Sequence, residues 1–151
     1  MKQKTVVTRF GSLILMEEDE AIVAVRWGHA AQEDTSPLLR CAEAQLHAYA
    51  TGEARDFDLP LRVGGAAFQR AVCDAIAAIP YGDTRTYGDI ARDLGASAQA
   101  VGRACGGNPI PVIIPCHRVM GVKGLTGFSG GKGVETKVAL LRHEGAAGLL
   151  I

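Results

Sequence analysis

Three early stretches, residues 5–9, 12–16 and 21–27, are rich in β-branched and apolar side chains. Phe10-Gly11 and the acidic run Glu17-Glu18-Asp19-Glu20 separate them, and they read as an antiparallel meander. Ser36-Pro37 has the form of a helix start, a capping serine followed by proline in the first turn. Leu38, Leu39, Ala42, Leu46 and Tyr49 continue at helical spacing as far as Gly52. Residues 53–62 are charged and marked by proline, which places a boundary there. After Gly64-Gly65, the positions Phe68, Val72, Ile76 and Ile79 form one apolar stripe, predicting a core helix that Pro80-Tyr81-Gly82 ends. Tyr87, Ile90, Ala91 and Leu94 follow, then a break at Gly95-Ala96-Ser97, then Val101, Ala104 and Cys105. Two short helices joined by a glycine turn have the outline of a helix-turn-helix. The apolar run 112–114 reads as a buried strand or extended segment, with Pro115 fixing the backbone beside Cys116. Gly121, Gly124, Gly127, Gly130 and Gly131 describe a long loop, and Val134, Val138 and Leu141 mark a last helix ending at Gly145.

The pattern predicts an α/β (α+β) chain in two parts, residues 1–62 and 63–151. The first is a small sheet with one helix and the second is helical. Its 151 residues suffice for one compact domain, or two small ones, with a sizeable core. An apolar fraction of 48% against 21% charged excludes a disordered or fibrous chain.

Sixteen basic and sixteen acidic side chains cancel, which taken whole speaks against a strong non-specific nucleic-acid binder. Divided along the chain, residues 1–63 carry net −3 and residues 64–151 net +3. Between Ser97 and Lys137 the only acid is Glu135, against Arg103, Arg118, Lys123, Lys132 and Lys137. A polyanion would be drawn to that stretch.

No apolar run reaches the roughly 18 residues of a membrane span, and the start Met-Lys-Gln-Lys-Thr lacks the apolar core of a secretory signal. A cytoplasmic protein with free thiols is the expectation. Cys41, Cys73, Cys105 and Cys116 are spaced 32, 32 and 11 apart and form no CxxC pair. The histidines include no HExxH motif, so neither a metal nor any cofactor is expected.

A cysteine nucleophile must be a thiolate, made by a nearby base, a positive charge or a helix N-terminus. Cys41, Cys73 and Cys105 sit on helical stripes and read as small buried hydrophobes. Cys116 differs: Pro115-Cys116-His117-Arg118 lies beside a glycine loop that presents the thiol. In extended chain the side chains of Cys116 and His117 point to opposite faces, so the histidine reaches the thiol only through a turn or a water.

Ile114-Pro115-Cys116-His117-Arg118-Val119 resembles the active-site motif of the O6-alkylguanine-DNA alkyltransferases, also called methylated-DNA–protein-cysteine methyltransferases. The flanks resemble that family too: Tyr87-Gly88-Asp89-Ile90-Ala91, Ala100-Val101-Gly102, Gly107-Asn108-Pro109, Thr126-Gly127-Phe128-Ser129-Gly130-Gly131 and Leu140-Leu141-Arg142-His143-Glu144-Gly145. Close matching covers residues 66–145. The resemblance implies a ribonuclease-H-like N-terminal part packed on a C-terminal part with a winged helix-turn-helix. It implies that Cys116 takes an alkyl group from O6 of a guanine flipped out of double-stranded DNA, O4-alkylthymine being a further candidate substrate. His117 would act as base through a water, with Glu144 orienting it. Tyr87 would donate to the purine, and backbone groups at Cys116, Val119 and Ser129 would read its edge. Asn108 would link the helix-turn-helix to the thiol segment and Pro111 would wall the pocket. Ala100, Gly102, Arg103, Arg118 and Phe128 complete the implied DNA- and substrate-binding set.

One position departs from the family, which usually carries an arginine that enters the base stack where this chain has Gln99. Its amide can hydrogen-bond the orphaned cytosine, and Arg103, four residues on, lies on the same helical face. Flipping is expected to survive in weakened form.

No resolving cysteine stands near Cys116 in the sequence, so one protein would accept one alkyl group and be spent. A non-catalytic, alkyltransferase-like lesion binder is the main alternative, disfavoured because such relatives replace the thiol. A Cys-His-Glu hydrolase would leave the helix-turn-helix and the basic stretch idle. A regulator with a redox-sensing cysteine would usually need an additional zinc-bearing domain. A monomer without membrane attachment is the default.

Overall fold

The computed structural model describes residues 1–121 and 133–146. The chain divides into two compact units, Met1–Arg62 and Val63–Ile151.

In the first unit, β1 (Lys2–Thr8), β2 (Gly11–Glu18) and β3 (Ala21–Trp27) form an antiparallel sheet in that order. The strands are longer than the stretches read from sequence because the hydrogen-bonded ladder continues past the apolar residues. The acidic run is correspondingly shorter as a turn: Glu17 and Glu18 belong to β2, and only Asp19 and Glu20 turn the chain, both at positive φ. Two left-handed residues in succession match the twist of the strands they join. A bulge between Met16 and Glu17 breaks the alternation and buries both. The buried Glu17 carboxylate accepts a hydrogen bond from the Ser36 hydroxyl, which also caps α1 (Pro37–Thr51) by accepting from the Leu39 N–H. Leu39, Ala42, Leu46 and Tyr49 face the sheet, Gly52 closes the helix in the left-handed conformation, and Val6, Leu13, Leu15, Ile22 and Val25 complete the core. Cys41 lies exposed on the opposite face of α1, so it is not the buried hydrophobe its helical setting suggested.

In the second unit, α2 (Ala67–Ala77) buries Val72, Cys73 and Ile76, and Ile79 continues the core beyond its end. Phe68 does not: it is an exposed residue in the first turn, ahead of where the helix is covered. A two-residue strand β4 (Arg85–Thr86) leads into α3 (Tyr87–Leu94), and Gly95, again left-handed, turns the chain towards α4 (Ala98–Gly106). Thr86 and Asp89 form a reciprocal capping box and Ser97 caps α4, so the helix-turn-helix has both its starts written in hydroxyl side chains. After α4 the chain makes a single 3-10 turn, Cys116–Arg118, and the strand β5 (Val119–Met120), which pairs in parallel with β4.

The last helix, α5 (Val134–Glu144), ends at a left-handed Gly145 as the sequence predicts. Its covered face is different from the expected one. Thr136, Lys137, Leu140, Leu141 and Glu144 are buried, whereas Val134 is exposed and Val138 partly so. Two charged residues on the inner face outweigh the stripe of valines.

Candidate active site

The segment between α4 and Cys116 is a turn, not the strand or extended segment expected for 112–114. Its apolar residues are buried as foreseen, but Val112 sits at φ 71, the left-handed region that a β-branched side chain rarely occupies. What holds it there is Asn108. Its Nδ2 donates to the Ile114 carbonyl at 2.8 Å, its Oδ1 accepts from the Ile110 N–H at 3.0 Å, and the Ile114 N–H closes the loop on the Ile110 carbonyl at 2.8 Å. Pro115 then turns the backbone at φ −81 and ψ 67, where the Cys116 N–H bonds to the Ile114 carbonyl at 2.8 Å, the geometry of an inverse γ-turn. Cys116 emerges half-buried at the start of the 3-10 turn.

That turn resolves the question of opposite faces by sending His117 inwards. His117 is fully buried, and its Nε2 lies 2.8 Å from Glu144 Oε2 on α5. The carboxylate accepts, so Nε2 carries the proton and Nδ1 presents a lone pair. Nδ1 is buried and has no hydrogen-bond partner among the described residues. Burial lowers the pKa of His117 despite the opposing pull of Glu144, which keeps the ring neutral.

Arg118 is a correction to the sequence reading. Instead of a surface cation it is buried, donating from Nε to Glu144 Oε1 at 2.8 Å and from Nη2 to Oε2 at 3.0 Å. Its Nη1 reaches the Ile79 carbonyl at 2.7 Å, and its guanidinium lies 5.6 Å from the Tyr81 ring centroid. This fork orients the carboxylate that orients His117. Lys137 is also interior, with Nζ donating to the Val119 carbonyl at 2.6 Å. Two of the five cations of the basic stretch are therefore structural, Arg103 is exposed, and Lys123 and Lys132 lie outside the described residues.

Cys73 of α2 and Cys105 of α4 are buried. Burial pushes Cys105 up to about 12 and raises Cys73 too, so both remain thiols and neither is primed to attack. On Cys116 itself burial also raises the pKa, opposed by a hydrogen bond from Asn108 and by the charge of Lys137.

The parallel register Arg85↔Val119 and Thr86↔Met120 sets the start of α3, with the half-exposed Tyr87, beside the strand that follows Cys116. Along α4, Gln99 and Arg103 are exposed, Ala100 and Gly102 partly so, and a Cβ at Gly102 would meet nothing. Pro111 is half-exposed and Val119 fully buried. Phe128 and Ser129 lie outside the described residues. Sequence reasoning missed the Arg118 fork and Lys137. The spacing Lys137, Leu140, Leu141, Glu144, which is i, i+3, i+4, i+7, was the available signal for the second.

A half-buried cysteine backed by a buried histidine–carboxylate pair, carried on a turn in register with a helix-turn-helix, defines a cysteine-nucleophile transfer protein built on a DNA-binding scaffold. The family model for the 6-O-methylguanine DNA methyltransferase DNA-binding domain matches residues 67–146. The methylated-DNA–protein-cysteine methyltransferase of Mycolicibacterium paratuberculosis is 39% identical, covering 100% of this chain and 98% of the relative. The constitutive enzyme of that name from Bacillus subtilis is also 39% identical, over 93% of each chain. The crystal structure of Mycobacterium tuberculosis OGT in complex with DNA superimposes with a TM-score of 0.86 at 39% identity, covering 96% of this chain and 93% of that one. The chain belongs to the methylated-DNA–protein-cysteine methyltransferase family.

Proposed function

We propose that this chain repairs double-stranded DNA by direct reversal, moving the alkyl group of O6-alkylguanine irreversibly to Cys116, one group per molecule. The observation that carries the reading is the half-buried Cys116 thiol on an Asn108-braced turn, with the His117–Glu144 pair behind it. In the transfer, the Cys116 thiolate attacks the alkyl carbon, the S–C bond forms as the C–O6 bond breaks, and guanine leaves. An in-line displacement needs an aligned nucleophile and a donor that stabilises the leaving group.

His117 Nδ1 takes the thiol proton through a water, while Glu144 fixes the tautomer. Tyr87 at the start of α3 donates to the purine, and backbone groups at Cys116, Val119 and Ser129 read its edge. Pro111 walls the pocket, and Phe128 belongs to the substrate- and DNA-binding set that the resemblance implies. The exposed face of α4, with Gln99, Ala100, Gly102 and Arg103, lies on DNA, Gln99 filling the space of the flipped base. Arg118 acts on Glu144 and not on DNA. Residues 1–62 are read as the ribonuclease-H-like part of the fold. The protein works in the cytoplasm, on the nucleoid in a prokaryote; among the described residues no helix is long and apolar enough to cross a membrane.

The test is incubation with a duplex oligonucleotide containing O6-methylguanine, followed by mass measurement of both products. The Cys116 peptide is expected to gain one methyl group, and Cys116→Ser to gain none. A wild-type protein that binds the lesion without any mass gain would replace this reading with that of a lesion binder.

A further inference from the structure

Beyond α2 the chain turns at Pro80-Tyr81-Gly82-Asp83, where the Asp83 N–H closes on the Pro80 carbonyl at 3.0 Å. Gly82 stands third in this turn at φ 89, a left-handed conformation that the position commonly reserves for glycine. A Cβ added there would sit 3.5 Å from the Glu144 carbonyl, so the turn runs against the end of α5. Tyr81, half-buried beside it, donates from its hydroxyl to the His143 carbonyl at 3.2 Å. The Arg118 guanidinium lies over the Tyr81 ring, 5.6 Å from the centroid.

Arg118 is thereby met from three directions. Its Nε and Nη2 donate to the two oxygens of Glu144, its Nη1 donates to the Ile79 carbonyl, and the ring of Tyr81 faces its central carbon. Hydrogen bonds fix where the guanidinium nitrogens point, but bonds in its own plane leave it able to tilt. An aromatic face draws the cation and opposes that tilt. The carboxylate on which the fork closes is the one that holds His117, with Nε2 2.8 Å from Oε2. Tyr81, Arg118, Glu144 and His117 thus form an unbroken chain of contacts.

We propose that Tyr81 is a positioning residue for the transfer reaction: its ring steadies the Arg118 guanidinium and, through the fork onto Glu144, fixes the orientation of His117. This rests on the reading of His117 as the base in alkyl transfer, yet the orientation of the imidazole belongs to the chain without DNA and is measured without it. Burial lowers the His117 pKa, and the charged groups that act on it are Glu144 and Lys137 of α5 and Arg118 of its own turn. A guanidinium that drifts from Glu144 alters two of those three at once.

Two measurements on the full chain test the assignment. Without DNA, the His117 ring is titrated by NMR. With a duplex containing O6-methylguanine, methyl transfer to Cys116 is timed at saturating protein. In Tyr81→Leu the His117 midpoint moves up towards 6.5 as water reaches the loosened pair. The maximal transfer rate in that variant falls by about tenfold, with affinity for the lesion unchanged. Tyr81→Phe keeps the ring, gives up only the bond to the His143 carbonyl, and stays near wild type in both measurements. Ile76→Val, in the buried face of α2, lowers the melting temperature and moves neither. A Tyr81→Leu variant unchanged in either measurement, or a Tyr81→Phe variant as impaired as Tyr81→Leu, would overturn the proposal. Should Tyr81→Leu not fold, Tyr81→Met, which also lacks an aromatic face, takes its place with the same outcomes. A wild type that transfers no methyl group, with the midpoints as expected, would count against the repair reading and leave the hold of Tyr81 on His117 standing.

Discussion

His117 is buried as a neutral ring, and that has a consequence for stability as well as chemistry. Its folded pKa lies below the ordinary value of 6.5, so the unfolded chain binds the proton more readily. The stabilisation is therefore complete above pH 6.5 and is lost as pH falls from there through the folded pKa. Denaturant unfolding at stepwise lower pH should show this loss at up to about 1.4 kcal/mol per pH unit. His117→Asn should remove that part of the slope, and an equal slope in the variant would contradict it. Cys116, His117 and Glu144 were legible as residues because a specific motif names them. Arg118 was named as well but assigned to DNA. Residue type does not tell which way a side chain leaves a 3-10 turn, and the fork onto Glu144 is made by two residues 26 apart.

The helices and strands were legible where periodicity and caps agree, as in α1, α3 and α4. The turn before the thiol was not. A β-branched run, Val112-Ile113-Ile114, has the pattern of a strand, but the Asn108 amide brackets it from both ends. Side-chain bonds to backbone six residues away leave no trace in hydrophobic spacing. The capping box of α3 is a sharper case of sequence-level specification. Thr86→Ala removes the acceptor for the Asp89 N–H and should cost about 1 kcal/mol in urea unfolding. Since Thr86 also pairs with Met120, a variant with unchanged stability would mean the parallel strand pair holds the helix start without its cap. On α4, Gln99 lies exposed one helical turn before Arg103. Gln99→Arg adds a cation to the face proposed for DNA, so affinity for duplex measured by fluorescence anisotropy should rise several-fold at low salt. Equal affinity and equal transfer rate would remove α4 from the interface.

Across the whole chain, each unit encloses its own set of buried apolar residues, and the charge is divided unevenly between the two halves of the sequence. The positive half carries nine lysines and arginines. Counting them as a phosphate-binding surface overstates it, because Arg118 and Lys137 are inside, bonded to Glu144 and to the Val119 carbonyl. Binding to duplex DNA releases about 0.9 counterions for each phosphate a cation neutralises. With two cations withdrawn, a plot of log affinity against log salt concentration should be no steeper than about −6. Arg103→Ala should flatten it by about one, while Lys137→Gln should leave the gradient where it is. A salt titration then becomes a ruler for the interior: it sorts the lysines and arginines of this chain into those that displace ions from DNA and those that have never left the protein.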